Sequence, residues 1–426
     1  MAKNLSQSLG AVPGAIVMNN PQMICSEMFN KMIFDINSQG IRFCCKSDSL
    51  TVEETELDQL GPKVFNHNHQ LLARRHSMLE SNQLPNPGCS LCANGDQHGF
   101  FKQRNSFNGL LAADNKQDLL ARDHTTIFEI VLGNSCDMKC IYCDAKYSSS
   151  WAKERGVDLE TTASSWKNKA LRYFIQFLED KYQNSSQQNL NIHLMGGEPT
   201  YMPEALRLVQ DINARFPDLH KQYSMNTNGN TKPELFARWL EEVDRDTNIR
   251  WVFCFSLDSL RERCEAIRYG LVWDRVMQNM EELLRRPNTV VQLSPTVNLY
   301  SVPDLKEFIE FFYNKVRSYG KTFILTTNLV AERGMNVGHL PEWHKQDVQD
   351  AIDFIDSIPS EGTLEIPLFR NHLVRLRDMI NTKTTPRDAD AMLVYLNYFK
   401  AKRPDLDLLS VFPHAAVALD RCLGQQ

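Results

Sequence analysis

The period of apolar positions along the chain changes near residue 124. Beyond it, apolar runs of strand length alternate with amphipathic stretches of helical period. The predicted strands are 126–132, 190–195, 222–225, 251–257, 290–297 and 322–329; the predicted helices between and after them are 162–182, 204–215, 233–242, 273–286 and 302–317. Continuous apolar strands separated by helices predict parallel βαβ units, and six such units predict an α/β fold, a partial (β/α)6 barrel over 124–335.

The flanks read differently. Residues 1–24 carry Gly, Pro, Asn and Ser without periodicity, an irregular lead-in. Residues 25–123 read as a small cysteine-bearing module. In it, short runs at 32–36 and 41–45 flank Asn37-Ser38-Gln39-Gly40, predicting a hairpin, and a helix is predicted over 64–80, before Pro85, Pro87 and Gly88. Residues 336–426 read as a helical extension of three pieces and a tail.

Composition narrows the function classes. Of 426 residues, 42% are hydrophobic and 23% charged, ordinary for a globular protein. A net charge of −5 argues against nucleic acid as the main partner, because phosphate neutralisation needs a surplus of Lys and Arg. No apolar run is long enough to span a bilayer, and residues 1–14 hold one Lys and no apolar core, so a cytoplasmic protein is expected. In that reducing compartment eleven cysteines point to metal rather than to disulfides.

The most specific chemistry is Cys136-Asp137-Met138-Lys139-Cys140-Ile141-Tyr142-Cys143, a CxxxCxxC loop directly after the first strand of the parallel set. In such barrels the loops after the strands form the active-site face. Three thiolates are one short of filling a cubane's four iron sites, so one iron would keep an outside position; zinc or a purely structural loop is the alternative. Three polar motifs follow the next three strands: Met195-Gly196-Gly197-Glu198-Pro199, Asn226-Thr227-Asn228-Gly229 and Ser256-Leu257-Asp258-Ser259. Each alone is ordinary turn chemistry. After successive strands they would face one mouth, as a ligand site requires.

The cysteine loop resembles the signature of the radical S-adenosylmethionine (SAM) superfamily, and Gly196-Gly197-Glu198 resembles its GGE motif. The resemblance implies a [4Fe–4S] cluster on Cys136, Cys140 and Cys143, with SAM chelating the free iron. It places Tyr142 near the adenine and gives the SAM amino group to Gly196, Gly197 and Glu198. It implies Asn228, Ser256 and Asp258 as contacts to the ribose or carboxylate. Arg268, in Glu265-Ala266-Ile267-Arg268-Tyr269-Gly270, and Asn298, in Thr296-Val297-Asn298, are further candidate contacts to SAM or substrate, as are Thr327 and Asn328.

A second cysteine set, Cys25, Cys44-Cys45 and Cys89-Ser90-Leu91-Cys92, offers four ligands for a second [4Fe–4S] cluster or for zinc. Strand neighbours point to opposite faces, so only one of Cys44 and Cys45 should ligate. The run from Gly40 to Cys92 resembles the twitch or SPASM-like auxiliary modules of radical SAM enzymes, although those more commonly follow the barrel. Cys254, Cys264 and Cys422 read as buried rather than ligating. No catalytic acid or hydrogen donor can be named.

The resemblance implies reductive cleavage of SAM to a 5′-deoxyadenosyl radical that abstracts hydrogen from a substrate, with flavodoxin or ferredoxin as reductant. Auxiliary clusters in this family accompany the modification of peptides and proteins, so a peptide or protein substrate is expected. A small metabolite or a nucleoside is the alternative, and a non-catalytic zinc or iron–sulfur protein is the alternative of another class.

Overall fold

The computed structural model describes residues 16–17, 27–44, 47–80, 83–84, 123–157, 164–183, 188–326, 328–330, 333–359 and 365–424. The strands used below are β1 (Lys31–Asp35), β2 (Gly40–Arg42), β3 (Leu50–Thr51), β4 (Ile127–Val131), β5 (Lys139–Cys140), β6 (Asn189–Met195), β7 (His220–Thr227), β8 (Arg250–Phe255), β9 (Arg268–Tyr269), β10 (Thr289–Leu293) and β11 (Ile324–Leu325). The helices are α1 (Ser149–Arg155), α2 (Ser164–Gln183), α3 (Pro203–Arg215), α4 (Pro233–Arg245), α5 (Trp273–Leu284), α6 (Leu305–Ser318), α7 (His344–Ser357), α8 (Glu365–Met379), α9 (Pro386–Lys402), α10 (Leu408–Val411) and α11 (Pro413–Cys422). The chain divides into two compact units, one of 1–133, 160–196 and 208–223, the other of 134–159, 197–207 and 224–426.

In the first unit the strand order is β3-β2-β1-β4-β6. The predicted hairpin is there: β1 and β2 pair antiparallel, Phe34 opposite Ile41. On its other side β1 pairs parallel with β4, Phe34 beside Ile130, and β4 pairs parallel with β6. Phe34, Phe65, Phe128, Trp166, Phe174 and Phe177 pack as one aromatic cluster, with ring centroids 5.1–6.4 Å apart. Burying one such ring contributes about 2–3 kcal/mol, and this cluster fixes α2 over the strands. The helix expected over 64–80 is two helices, Val64–His67 and His69–Glu80. Between them Asn68 takes ψ 125° and its Oδ1 accepts from the N–H groups of Gln70 and Leu71 at 3.0 and 3.1 Å, the behaviour of an N-cap.

In the second unit the order is β7-β8-β10-β11; β8 pairs parallel with β10, and β10 with β11. Helix α4 starts on Pro233 and turns Phe236, Trp239 and Val243 inward at helical spacing. The structure is thus the α/β, mostly parallel arrangement the sequence predicts. The run expected over 290–297 stops at Leu293: Pro295 lacks the N–H that a ladder needs. Thr296–Val297 forms a separate parallel pair with Asn328–Leu329. Among the described residues the extension holds five α-helices where three pieces were expected, α7 to α11. Pro359, Pro386, Pro404 and Pro413 stand at the breaks, where proline stops one helix or starts the next. Among the described residues no helix is long and apolar enough to cross a membrane.

Candidate active site

The cysteine loop lies within the second unit, and its backbone is tied to α1. Ser149 and Ser150 Oγ donate to Cys136 O at 3.2 and 2.8 Å, and Ser149 Oγ accepts from Cys136 N at 3.1 Å. Ser148 caps α1 by accepting from Trp151 N, and donates to Met138 O at 2.6 Å. Trp151 Nε1 donates to Cys140 O at 2.9 Å. Met138 and Ile141 are buried anchors at 1% exposure, whereas Cys136, Cys140 and Cys143 are half-buried. Hydrophobic residues between the cysteines thus pin the loop and leave the thiols on its working side.

Asp137 is clamped as well. Its Oδ1 accepts from Asn228 Nδ2 at 3.2 Å and its Oδ2 from Asn230 Nδ2 at 2.9 Å. Asn230 also donates to Gly270 O at 3.0 Å and accepts from Val272 N at 2.9 Å. The stretch Asn228-Gly229-Asn230 therefore connects the cysteine loop to the segment after β9.

Glu198 is the second junction. It is 1% exposed, and four donors converge on it: Thr200 N (3.1 Å), Thr200 Oγ1 (2.5 Å), Thr227 Oγ1 (2.7 Å) and Asn228 N (2.6 Å). Burial pushes its carboxyl up to about 7 against the opposing pull of these hydrogen bonds. The side chain thereby ties the loop after β6 to the end of β7. Gly197 before it has no room for a side chain: a Cβ there would lie 2.3 Å from Ser135 O and 2.7 Å from Asn134 O. Gly196 has φ 129°, a conformation that glycine adopts readily.

Asp258, fully buried, is the third. Its Oδ1 accepts from Arg268 Nη2 at 2.9 Å and from Thr296 N at 2.7 Å, and its Oδ2 accepts from Tyr142 Oη at 2.6 Å. The Arg268 guanidinium lies 5.4 Å from the Tyr142 ring centroid, and its Nη1 lies 3.8 Å from Cys140 Sγ. Arg268 reaches Cys140 because β5 and β9 pair antiparallel with these two residues as partners.

The donor set fits an iron–sulfur cluster. Burial pushes all three thiols up, Cys143 to about 12, and the charge of Cys140 pushes both neighbours further. Thiols so placed ionise only against a cationic group, and a bound metal would invert that balance by keeping them deprotonated. Two N–H groups are directed at the sulfurs, Arg268 Nη1 at Cys140 and Asn228 Nδ2 at 4.0 Å from Cys136 Sγ. Such contacts tune a cluster. Among the described residues no set of three or more His, Cys, Asp or Glu side chains is gathered as for a single ion; a cubane spaces its thiolates more widely, because each binds its own iron.

The structure brings together Cys136, Cys140, Cys143, Tyr142, Asn228, Asp258 and Arg268. Ser256 is half-buried at the end of β8 and its hydroxyl makes no hydrogen bond among the described residues. Asn298 is fully buried, and its amide serves its own turn: Nδ2 donates to Thr296 O and Oδ1 accepts from Tyr300 N, both at 2.9 Å. Asn328 is exposed, and Thr327 lies outside the described residues. Of the second cysteine set only Cys44 is described; it is half-buried, in a turn where Cys44 O accepts from Ser47 Oγ at 2.9 Å, and Cys25, Cys45, Cys89 and Cys92 lie outside. Cys254, Cys264 and Cys422 are buried. Sequence reasoning missed Asp137, Asn230, Thr200 and Thr227; the signal was present in the Asp inside the cysteine loop and the second Asn after Gly229.

With this geometry in view, residues 130–312 match the Radical SAM superfamily. That segment, somewhat under half of the chain, is similar to the radical SAM domain. Among solved structures the chain is similar to one described as TYW1 with a lysine-pyruvate adduct bound, at 13% identity, with a TM-score of 0.31 over 55% of this chain and 72% of that one. No curated protein matches it.

Proposed function

We propose that Cys136, Cys140 and Cys143 hold a [4Fe–4S] cluster at which SAM is reductively cleaved, and that the substrate giving up hydrogen is a peptide or protein. When bound, the cluster would supply one electron and SAM would accept it, yielding from its C–S bond methionine and a 5′-deoxyadenosyl radical that leaves as 5′-deoxyadenosine after taking a substrate hydrogen. The electron comes from a small reductant protein of the flavodoxin or ferredoxin kind.

The protein's part is to hold and orient. Arg268 and Asn228 direct N–H groups at two of the sulfurs. Gly196 and Gly197 remove side chains where backbone carbonyls accept the SAM amino group, while Glu198 holds that turn against the Asn228 turn. Ser256 offers a hydroxyl to the ribose or the carboxylate. Tyr142, fixed by Asp258, presents its ring to the adenine. Asn298 shapes the wall after Thr296. The peptide assignment is supported by the likeness of Cys25, Cys44 or Cys45, Cys89 and Cys92 to auxiliary ligands, which would hold a second [4Fe–4S] cluster.

The observation that carries the proposal is the convergence of Arg268 and Asn228 on a three-cysteine loop inside a segment similar to the radical SAM domain. The test is 5′-deoxyadenosine formation after anaerobic reconstitution with iron and sulfide and reduction with dithionite. Product is expected from the native chain and not from the Cys136→Ala, Cys140→Ala or Cys143→Ala proteins. Its absence from folded, iron-loaded protein would sink the reading. For the substrate, deuterated peptides should pass deuterium into the 5′-deoxyadenosine; transfer only from deuterated nucleosides or metabolites would overturn the peptide assignment.

A further inference from the structure

The ladder β5–β9 has two faces. On one, Cys140 and Arg268 meet. Successive strand residues point to opposite sides, so Lys139 and Tyr269 occupy the other, with Lys139 Nζ 5.2 Å from the Tyr269 ring centroid. The helical extension covers that second face with Tyr398 and Phe399 of α9 and with Arg403 just beyond it. The Arg403 guanidinium lies 4.2 Å from the Tyr269 ring centroid, 4.4 Å from Phe399 and 5.1 Å from Trp151. Its Nη2 donates to Lys139 O at 3.4 Å and stands 3.6 Å from Glu154 Oε1. Glu154 also pairs with Lys139 Nζ and accepts from Tyr398 Oη at 3.0 Å.

Arg403 is 2% exposed, and its Nε and Nη1 find no hydrogen-bond partner among the described residues. Burying a guanidinium with donors unmet is costly, and an apolar residue of the same volume would pack as well or better. Lys139 and Arg403 face the single carboxylate of Glu154, and Arg155 packs on Trp151 4.3 Å from its ring centroid, leaving positive charge in excess behind the strand that carries Cys140. A reduced cluster bears one negative charge more than an oxidised one, and net charge is among the determinants of cluster potential.

We infer that Arg403 is a positioning residue of the radical SAM centre: it braces the Cys140 strand from the rear and its charge raises the cluster's reduction potential. This rests on the assignment of Cys136, Cys140 and Cys143 as cluster ligands.

The test is a redox titration of the reconstituted full chain, followed by the electron paramagnetic resonance signal of the reduced cluster, together with the rate of iron loss to a chelator. Arg403→Met is expected to lower the reduction equilibrium by about tenfold, or about 59 mV for a one-electron couple, and to release iron faster. Arg403→Lys should recover most of the midpoint, and Glu154→Gln, which removes the opposing charge, should move it upward. Unchanged midpoints in cluster-loaded Arg403→Met and Glu154→Gln proteins overturn the inference. Should Arg403→Met fail to fold, Glu154→Gln decides alone: a rise supports it, and no change or a fall overturns it. A native chain that takes up no cluster overturns the ligand assignment beneath it.

Discussion

Tyr142 Oη donates to Asp258 at 2.6 Å, joining two residues 116 positions apart in the chain and fixing a cysteine-loop aromatic to the end of a sheet strand. Removing the hydroxyl leaves the buried carboxylate one donor short. Tyr142→Phe should cost about 1–3 kcal/mol, read as a lower urea midpoint at unchanged slope, and should weaken SAM binding in equilibrium dialysis. Asp258→Asn should cost more, about 3–5 kcal/mol, because Arg268 then stays buried without its counter-charge.

Gly197→Ala is expected to disrupt the cysteine loop directly. The atoms a Cβ would meet belong to the backbone of Asn134 and Ser135, next to Cys136, and cannot rotate away. We expect a loss of at least about 1–3 kcal/mol in stability and a fall in the iron bound per chain after reconstitution. Wild-type stability together with full iron content in this protein would contradict the close approach.

Glu198→Ala strands the donors of Thr200, Thr227 and Asn228 in a buried site. The threonine hydroxyls can turn elsewhere, but Asn228 N–H cannot. The expected cost is about 3 kcal/mol, accompanied by faster thiol labelling of Cys136, whose neighbour Asn228 loses its anchor. Labelling at the native rate would show that the turn holds without the carboxylate.

His414 predicts a pH dependence remote from the cysteines. Burial, then the neighbouring His344, lowers its pKa from the ordinary histidine value of about 6.5 to about 4. Its Nε2 lies 3.0 Å from Leu299 O and its ring 5.6 Å from that of His344, which pairs with Asp347 at 2.6 Å; the charge of Arg263 adds to the lowering and that of Asp347 opposes it. Between these pH values the unfolded chain binds the extra proton and the folded one does not. The stabilisation is therefore complete above about pH 6.5 and is lost as pH falls towards 4, by at most about 3 kcal/mol. Denaturation at a series of pH values should show this slope, and His414→Gln should flatten it.

Much of the fold could be read from the sequence because its signals are local. Strand-length apolar runs marked β4, β6, β7, β8 and β10, and the CxxxCxxC and Gly-Gly-Glu motifs marked the loops that the structure places after β4 and β6. The side that β1 joins could not be read: the hairpin pattern shows two strands, and nothing in it says that Phe34 will stand beside Ile130. Side-chain direction was equally out of reach. The sequence offers Glu198, Asp258 and Asn298 as polar groups at strand ends, and each proves to answer backbone or hydroxyl donors of its own fold. Those partners lie on other elements or in a turn whose conformation only the folded chain defines. Helix ends at Asn68 and before Pro386 and Pro413 had visible signals, a capping residue and prolines, which periodicity alone overrode.

Arg403 donates to the carbonyl of Lys139 across 264 residues. A ribosome adding roughly 5–20 residues per second therefore finishes the cysteine loop on the order of 13–50 s before the residue that braces it exists. During that interval the three thiols are carried on a nascent chain whose Cys140 strand lacks its rear support. On the ligand assignment and bracing role proposed above, stable metallation would wait until Arg403 has been made. Chains arrested before Arg403 should accumulate as apoprotein even where iron and sulfide are plentiful.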